Sequence, residues 1–238
     1  MVAIIGLGSL TVTTGAQSAT LSYPWAKMPC SVKPYAVTGP CPGYAWGKTP
    51  ASIFRWESKG AGYAYRNCTD YVAWKLSTLS VPQSKYSNLH NGGQWATNAA
   101  ANKLAADARP VVGSVAVRES TSTDRFGHVA FVEKVSDGKI TVSDYNVKKT
   151  GEGSTRTGTP KELKFTKFVH FERYMYVGQI VRWKDGTSWL VKNDFKRHWI
   201  PNGGVYNCLK AKGARVYNLS APQLDAIPDA GLAWAKCK

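Results

Sequence analysis

Between Asn67 and Pro82 the apolar residues Tyr71, Val72, Leu76 and Leu79 recur with Cys68 at the spacing of one helical face. The flanks agree: Asn67 is a good N-cap, Asp70 suits the first turn beside the positive end of the helix dipole, and Pro82 marks the stop. A second helix is expected over roughly residues 94–106, where Ala, Leu and Trp95 dominate ahead of Pro110. The pattern then turns to strands. Residues 114–118, 128–135 and 139–146 are rich in Val, Ile and Phe, and Ser136-Asp137-Gly138 links the last two as a hairpin. Residues 169–177 are a further strand candidate. Helices followed by antiparallel strands define an α+β class rather than alternating βαβ units.

Around this block the chain divides further. Residues 1–19 are small and apolar and read as a signal-like segment, although no basic residue precedes Lys27. Gly6-Leu7-Gly8 does not continue into a dinucleotide loop, since position 11 is Thr and no acidic residue precedes Glu57. Residues 20–54 form an irregular lead-in rich in Pro, Gly and aromatics, residues 55–178 hold the helices and strands above, and a Trp-rich register opens after Gly178. That last part, 179–238, carries strand-like runs at 180–183 and 188–191. No stretch is long enough for a transmembrane segment. The protein is expected to be secreted, extracellular or cell-wall associated, and monomeric.

Composition narrows the partners. Hydrophobic residues make up 43% and charged residues 19% of 238 positions, which suits a packed protein rather than a disordered one. The net charge of +16 points to a polyanionic partner: nucleic acid, anionic lipid or an anionic cell-wall polymer. The excess is spread out, with ten Lys and Arg against four Asp in residues 179–238 and no basic run of five, so nucleic acid is not expected.

Five cysteines leave one over. Cys30 and Cys41 lie in a Pro/Gly-rich stretch that gains from a staple, and Cys208 and Cys237 bracket a segment too small to build a large core, so these are the expected disulfides. Cys68 remains free. A lone cysteine is often a buried filler. A thiol at a helix N-terminus, however, meets backbone N–H groups and a dipole that favour thiolate over thiol, and so is a candidate nucleophile. Of the four histidines, His128 alone opens a well-defined apolar strand, after Gly127, and is the candidate base. Asp144 and Asn146, on one face of the next strand, are candidates to orient it. A three-residue hairpin loop would set His128 opposite Asn146 with Asp144 diagonal on the same face, whereas a two-residue loop would turn His128 away from both.

Four blocks in order, Arg-Asn-Cys-Thr-Asp-Tyr-Val-Ala-Trp-Lys-Leu (66–76), Gly-Ser-Val-Ala-Val (113–117), Gly-His-Val-Ala (127–130) and Val-Ser-Asp-Tyr-Asn (142–146), resemble the CHAP domain over roughly residues 55–175. The resemblance implies a papain-like α+β fold with N-terminal helices packed on an antiparallel sheet. It also implies a cysteine amidohydrolase or peptidase acting on bacterial peptidoglycan, with Cys68 as nucleophile, His128 as base and Asn146 or Asp144 as the orienting group. Asp144 stands where the family often has Glu. Trp95, within Gly-Gly-Gln-Trp, resembles a recurrent family aromatic, and Trp95 and Tyr71 are the candidate substrate-binding side chains.

Blander roles fall to other residues. His90 sits in a solvated Ser/Asn/Gly loop, His170 and His198 sit among aromatics as structural groups, and Asp70 serves the helix dipole. Neither zinc spacing nor an Asp-x-Asp calcium loop before Cys68 is found, so no metal or cofactor is expected. Residues 179–238, with Trp183, Trp189, Trp199 and Trp234 among Lys196, Arg197, Lys210 and Lys212, form either a wall-binding module or a stapled, β-rich packing extension. The competing functions are a non-catalytic cell-wall-binding protein and a cysteine peptidase acting on proteins.

Overall fold

A computed structural model of the chain describes residues 23, 24, 26, 63, 66–231 and 234–237. The signal-like segment, all of the lead-in but residues 23, 24 and 26, and the Cys30–Cys41 pair lie outside the described residues. Helix α1 (Cys68–Thr78) begins where expected: Asn67 is extended, its side chain accepts from the Cys68 N–H, and Asp70 lies in the first turn. Cys68, Val72 and Leu76 are buried on one face, and α1 packs on the two strands His128–Ser136 and Lys139–Tyr145. A short helix α2 (Gln83–Tyr86) follows.

The expected helix over 94–106 is shorter and mixed. Two 3₁₀ segments, Gly92–Gln94 and Ala99–Asn102, flank a single turn, α3 (Trp95–Asn98), and Lys103 ends the run with a left-handed φ of 59°. Helix propensity is overridden by side chains that bond elsewhere. The Asn98 amide donates to Leu89 O, and the Asn102 amide to Lys85 O and Ser87 O, which ties the run to α2 and the loop after it.

Six strands make one antiparallel sheet: β1 (Ala106–Asp107), β2 (Val115–Arg118), β3 (His128–Ser136), β4 (Lys139–Tyr145), β5 (Gly153–Gly158) and β6 (Lys167–Val169), in the order β1-β6-β2-β3-β4-β5. The strand expected at 169–177 stops at Val169. Phe171, Tyr174 and Met175 are all buried at helical rather than alternating spacing, and helix α4 (Glu172–Met175) forms there. The chain is thus α+β, with helices packed on an antiparallel sheet.

The hairpin between β3 and β4 has a two-residue loop, Asp137-Gly138, both with positive φ (53° and 73°) and flanked by the pair Ser136↔Lys139. By itself this register would turn His128 to the wrong face. A bulge between Val132 and Lys134 inserts Glu133 as an extra residue, and beyond it the pairs become Val132↔Val142 and Phe131↔Ser143. The bulge restores at the His128 end of the hairpin the alignment that the longer loop would have given.

After Gly178, β7 (Ile180–Arg182), β8 (Ser188–Val191), β9 (Arg197–Trp199) and β10 (Val216–Asn218) form a second sheet in the order β10-β7-β8-β9. Helix α5 (Gly203–Ala211) carries the chain from β9 to β10, which pairs parallel to β7, and α6 (Ala221–Asp225) follows. One face of this sheet meets α5 through Ile180, Ile200 and Leu209, and the Cys208–Cys237 disulfide fastens the C-terminal segment to that helix. From the other face Val181 and Val191, with Leu219, Leu224 and Ile227, join the buried cluster that contains α1, Trp95 and Tyr176. Apolar packing is therefore continuous across Gly178.

Candidate active site

The N-terminus of α1 holds Cys68 free and buried, at 2% exposure. Its backbone N–H is satisfied by Asn67 Oδ1 at 2.7 Å, so the side chain is left to its neighbours. His128, the first residue of β3, is seated by three glycines. A Cβ on Gly92 would come within 3.0 Å of the His128 backbone, one on Gly93 within 2.5 Å of Ser120 N, and one on Gly127 (φ 59°) within 2.4 Å of Arg118 O. Gly93 N–H donates to Phe126 O at 2.8 Å. The Gly-Gly pair of the Gly-Gly-Gln-Trp motif thus lets its turn lie flush against the start of β3.

His128 Nε2 lies 3.0 Å from Asp144 Oδ2, both groups being buried. Cys68 lies near enough to act on the same ring, and with Nε2 turned to Asp144 the nitrogen left over is Nδ1. Burial acts to lower the pKa of His128, but the negative charge and hydrogen bonds of Cys68 and Asp144 outweigh it, and the imidazole is pushed up to about 9. Asp144 is held from the far side by β5, whose Ser154 pairs directly with it in the ladder while Arg156 pairs with Val142. Ser154 Oγ donates to Asp144 Oδ1, and Arg156 Nη2 to Oδ2. Burial raises the Asp144 pKa, yet the hydrogen bonds from His128, Ser154 and Arg156 bring it below the ordinary carboxylate range.

Asn146 stands apart from the imidazole contact. It leaves the strand with a φ of 63°, its N–H donates to Glu152 O, and its Oδ1 accepts from Gly151 N at 2.8 Å. Gly151 O in turn accepts from Arg66 Nε at 2.8 Å, so the loop after β4 is tied to the residue two before the cysteine. The two expected substrate contacts are core residues in this structure. Trp95 is fully buried against Tyr63 and Phe171, with its indole N–H on His90 O, and Tyr71 donates to Ser143 Oγ with its pKa pushed up to about 12 by burial. Neither has a free face to offer a ligand. Asp70 is buried and accepts from the Tyr23 hydroxyl, which itself accepts from the Arg66 N–H. His170 lies between Asp107 and Glu172, and His198 against Asp194. Among the described residues no group of three or more His, Cys, Asp or Glu is arranged to hold a metal ion.

Arg156 and Ser154 escape a sequence reading because β5 (Gly-Ser-Thr-Arg-Thr-Gly) is polar on both faces, its two threonines being the only strand signal. Arg156 has a testable consequence. Protonated His128 persists until the pH passes about 9, so activity that needs the imidazolium should fall on an alkaline limb near that value. Arg156→Gln removes a cation that competes for Asp144. The limb is then expected to move to higher pH, with kcat about tenfold lower because the carboxylate is less firmly placed. A kcat/KM profile across the alkaline range checks both, and an unmoved limb would show that Arg156 does not act on His128.

A free thiol at a helix N-terminus, joined to an imidazole and a buried carboxylate from adjacent antiparallel strands, is the arrangement that nucleophilic cysteine chemistry requires. The sequence model of the CHAP domain matches residues 58–146 of the chain. The chain is 36% identical over 110 residues to N-acetylmuramoyl-L-alanine amidase sle1 of Staphylococcus epidermidis, covering 45% of this chain and 32% of that protein. It is 33% identical over 110 residues to the Staphylococcus aureus protein of the same name, covering 45% and 31%. The chain thus spans about a third of the length of these curated relatives. A crystal structure of N-acetylmuramoyl-L-alanine amidase from Staphylococcus aureus aligns with a TM-score of 0.40 at 28% identity, over 46% of this chain and 31% of that one.

Proposed function

We propose that the chain is a cysteine hydrolase that cleaves amide bonds of bacterial peptidoglycan, with Cys68 as nucleophile, His128 as acid and base, and Asp144 as the orienting carboxylate. The observation that carries this is the buried His128–Asp144 pair together with a free, buried Cys68 at a helix N-terminus, all within the matched domain. The Cys68 thiolate attacks the amide carbonyl carbon. The electron pair of the C=O bond moves to oxygen and returns as the C–N bond breaks. His128 gives its proton to the leaving amine, and the acyl group remains on sulfur. Neutral His128 then takes a proton from water as that water attacks the thioester, and the thiolate leaves with the imidazolium restored. Asp144 holds the ring with Nε2 toward the carboxylate and Nδ1 toward sulfur throughout.

The names of the Staphylococcus relatives favour the amide between the muramic lactyl group and the first alanine of the stem peptide. The net charge of +16 suits work on a wall that carries anionic groups, outside the cytoplasm. In this scheme residues 55–178 supply the chemistry and residues 179–238 act as an accessory part. Mass spectrometry of digested, purified peptidoglycan is the test. The expected products are glycan chains stripped of peptide and stem peptides with a free N-terminal alanine, both absent with Cys68→Ser. Cleavage within the peptides alone would move the scissile bond to a peptide linkage, and no product at all would remove hydrolysis from the assignment.

A further inference from the structure

Among the described residues four large apolar side chains are exposed, Val135, Trp199, Tyr217 and Trp234, and two of these touch each other. Trp199 (38% exposed) and Trp234 (51%) meet edge to face, with ring centroids 5.5 Å apart and planes at 81°. They are held outward by the backbone. Trp199 ends the edge strand β9, where it pairs with Trp189 of β8, and its carbonyl accepts from Ala235 N at 2.8 Å. Ala235 is buried with Ile180, Ile200 and Leu209, and Cys237 is fixed to α5 by the disulfide, so Trp234 and Lys236 project on the exposed side of an anchored segment. Arg197, partly exposed, is not free to join this patch. Its guanidinium covers Trp189 and is consumed by Leu224 O, Ile227 O and Asp229.

Leaving two indoles in water forgoes burial worth about 25 cal/mol per Å², and paired exposed apolar rings with a polar rim mark a binding surface. An edge-to-face pair leaves at least one flat ring face open. The rim is cationic: Lys192 Nζ reaches Trp234 O at 3.4 Å and Lys236 is exposed two residues beyond Trp234. A flat aromatic face beside ammonium groups fits a pyranose ring, whose C–H face is apolar, on a polymer whose substituents bear carboxylates.

From these features we infer that Trp199 and Trp234, flanked by Lys192 and Lys236, form a carbohydrate platform that binds the glycan strand of peptidoglycan, separate from the Cys68 site. This rests on the proposal that peptidoglycan is the substrate, and it adds where the polymer is held. The full chain should sediment with purified peptidoglycan stripped of phosphate polymers. The Trp199→Ala, Trp234→Ala double variant should bind at least tenfold more weakly, and the corresponding double Phe variant, which keeps flat rings, within about threefold of wild type. Turnover of soluble muropeptides should be unchanged in both. A measurement on the unaltered protein guards against misfolded variants: oxidation of Trp199 and Trp234 by N-bromosuccinimide, mapped by peptide mass spectrometry, should slow when phosphate-free glycan is present. Undiminished sedimentation of the double Ala variant, or absence of protection, would overturn the platform. Binding only to walls that retain phosphate polymers would overturn it in favour of a polyanion. Trp-dependent sedimentation without muropeptide turnover would uphold the platform and refute the hydrolase assignment instead.

Discussion

Cys68→Ser and His128→Ala are each expected to lower peptidoglycan turnover by at least about three orders of magnitude, with the protein still folded. A serine hydroxyl fits the space of the thiol, but it does not ionise near neutral pH. The helix start survives the change, because Asn67 caps the backbone N–H of residue 68 rather than its side chain. His128→Ala removes both the proton donor for the leaving amine and the partner of the thiol. Asp144 is not orphaned by this loss, since Ser154 and Arg156 still donate to it, so the sheet is expected to hold. Turnover by a soluble-muropeptide assay, with circular dichroism and Tm on the same preparations, makes the check. Turnover within tenfold of wild type in either folded variant would end the cysteine mechanism for this chain.

Much of the site was legible because its signals are local. A cap residue, a helical apolar face with Cys68 at its head, and alternating strands around Gly127-His128 are short-range patterns, and α1, β3 and β4 follow them closely. What could not be read depends on pairing between strands or on tertiary contacts. Aligning His128 with Asp144 and Asn146 called for a three-residue loop; the turn is two residues long, and nothing local to Glu133 announces the bulge that re-aims His128. Strand β5 lacks an apolar alternation, so its two donors to Asp144 became visible only through the ladder. Residues 94–106 and 169–177 were misread for one reason: composition favoured a regular element, while side chains such as Asn98, Asn102, Phe171 and Tyr174 found partners that interrupt it. Trp95 is expected from the sequence as a substrate-binding side chain, yet it is fully buried with its indole N–H on His90 O, a tertiary contact that no local pattern announces.

Asp144 and Asn146 were equivalent candidates in the sequence, and substitution separates them. Asp144→Asn keeps the shape but removes the charge that favours the imidazolium and fixes the ring. Turnover should fall by about two to four orders of magnitude, and the alkaline limb should move below about 9, because one of the groups that raises the His128 pKa is gone. Asp144→Ala goes further and leaves the Arg156 guanidinium and the imidazole facing each other without a counter-ion, a defect costing about 3–5 kcal/mol of stability. Asn146→Ala loses the bond to Gly151 N and puts a residue with a Cβ but no polar group at a φ of 63°, together costing about 2 kcal/mol. Its effect on chemistry is indirect, through the loop tied to Arg66, so turnover should fall only several-fold and the limb should stay near 9. Asn146→Gly, which tolerates the backbone conformation, should recover part of the stability but not the loop contact. A kcat/KM profile over pH for the Asn and Ala variants decides the matter: if Asn146→Ala moves the limb while Asp144→Asn leaves it in place, the orienting role belongs to Asn146.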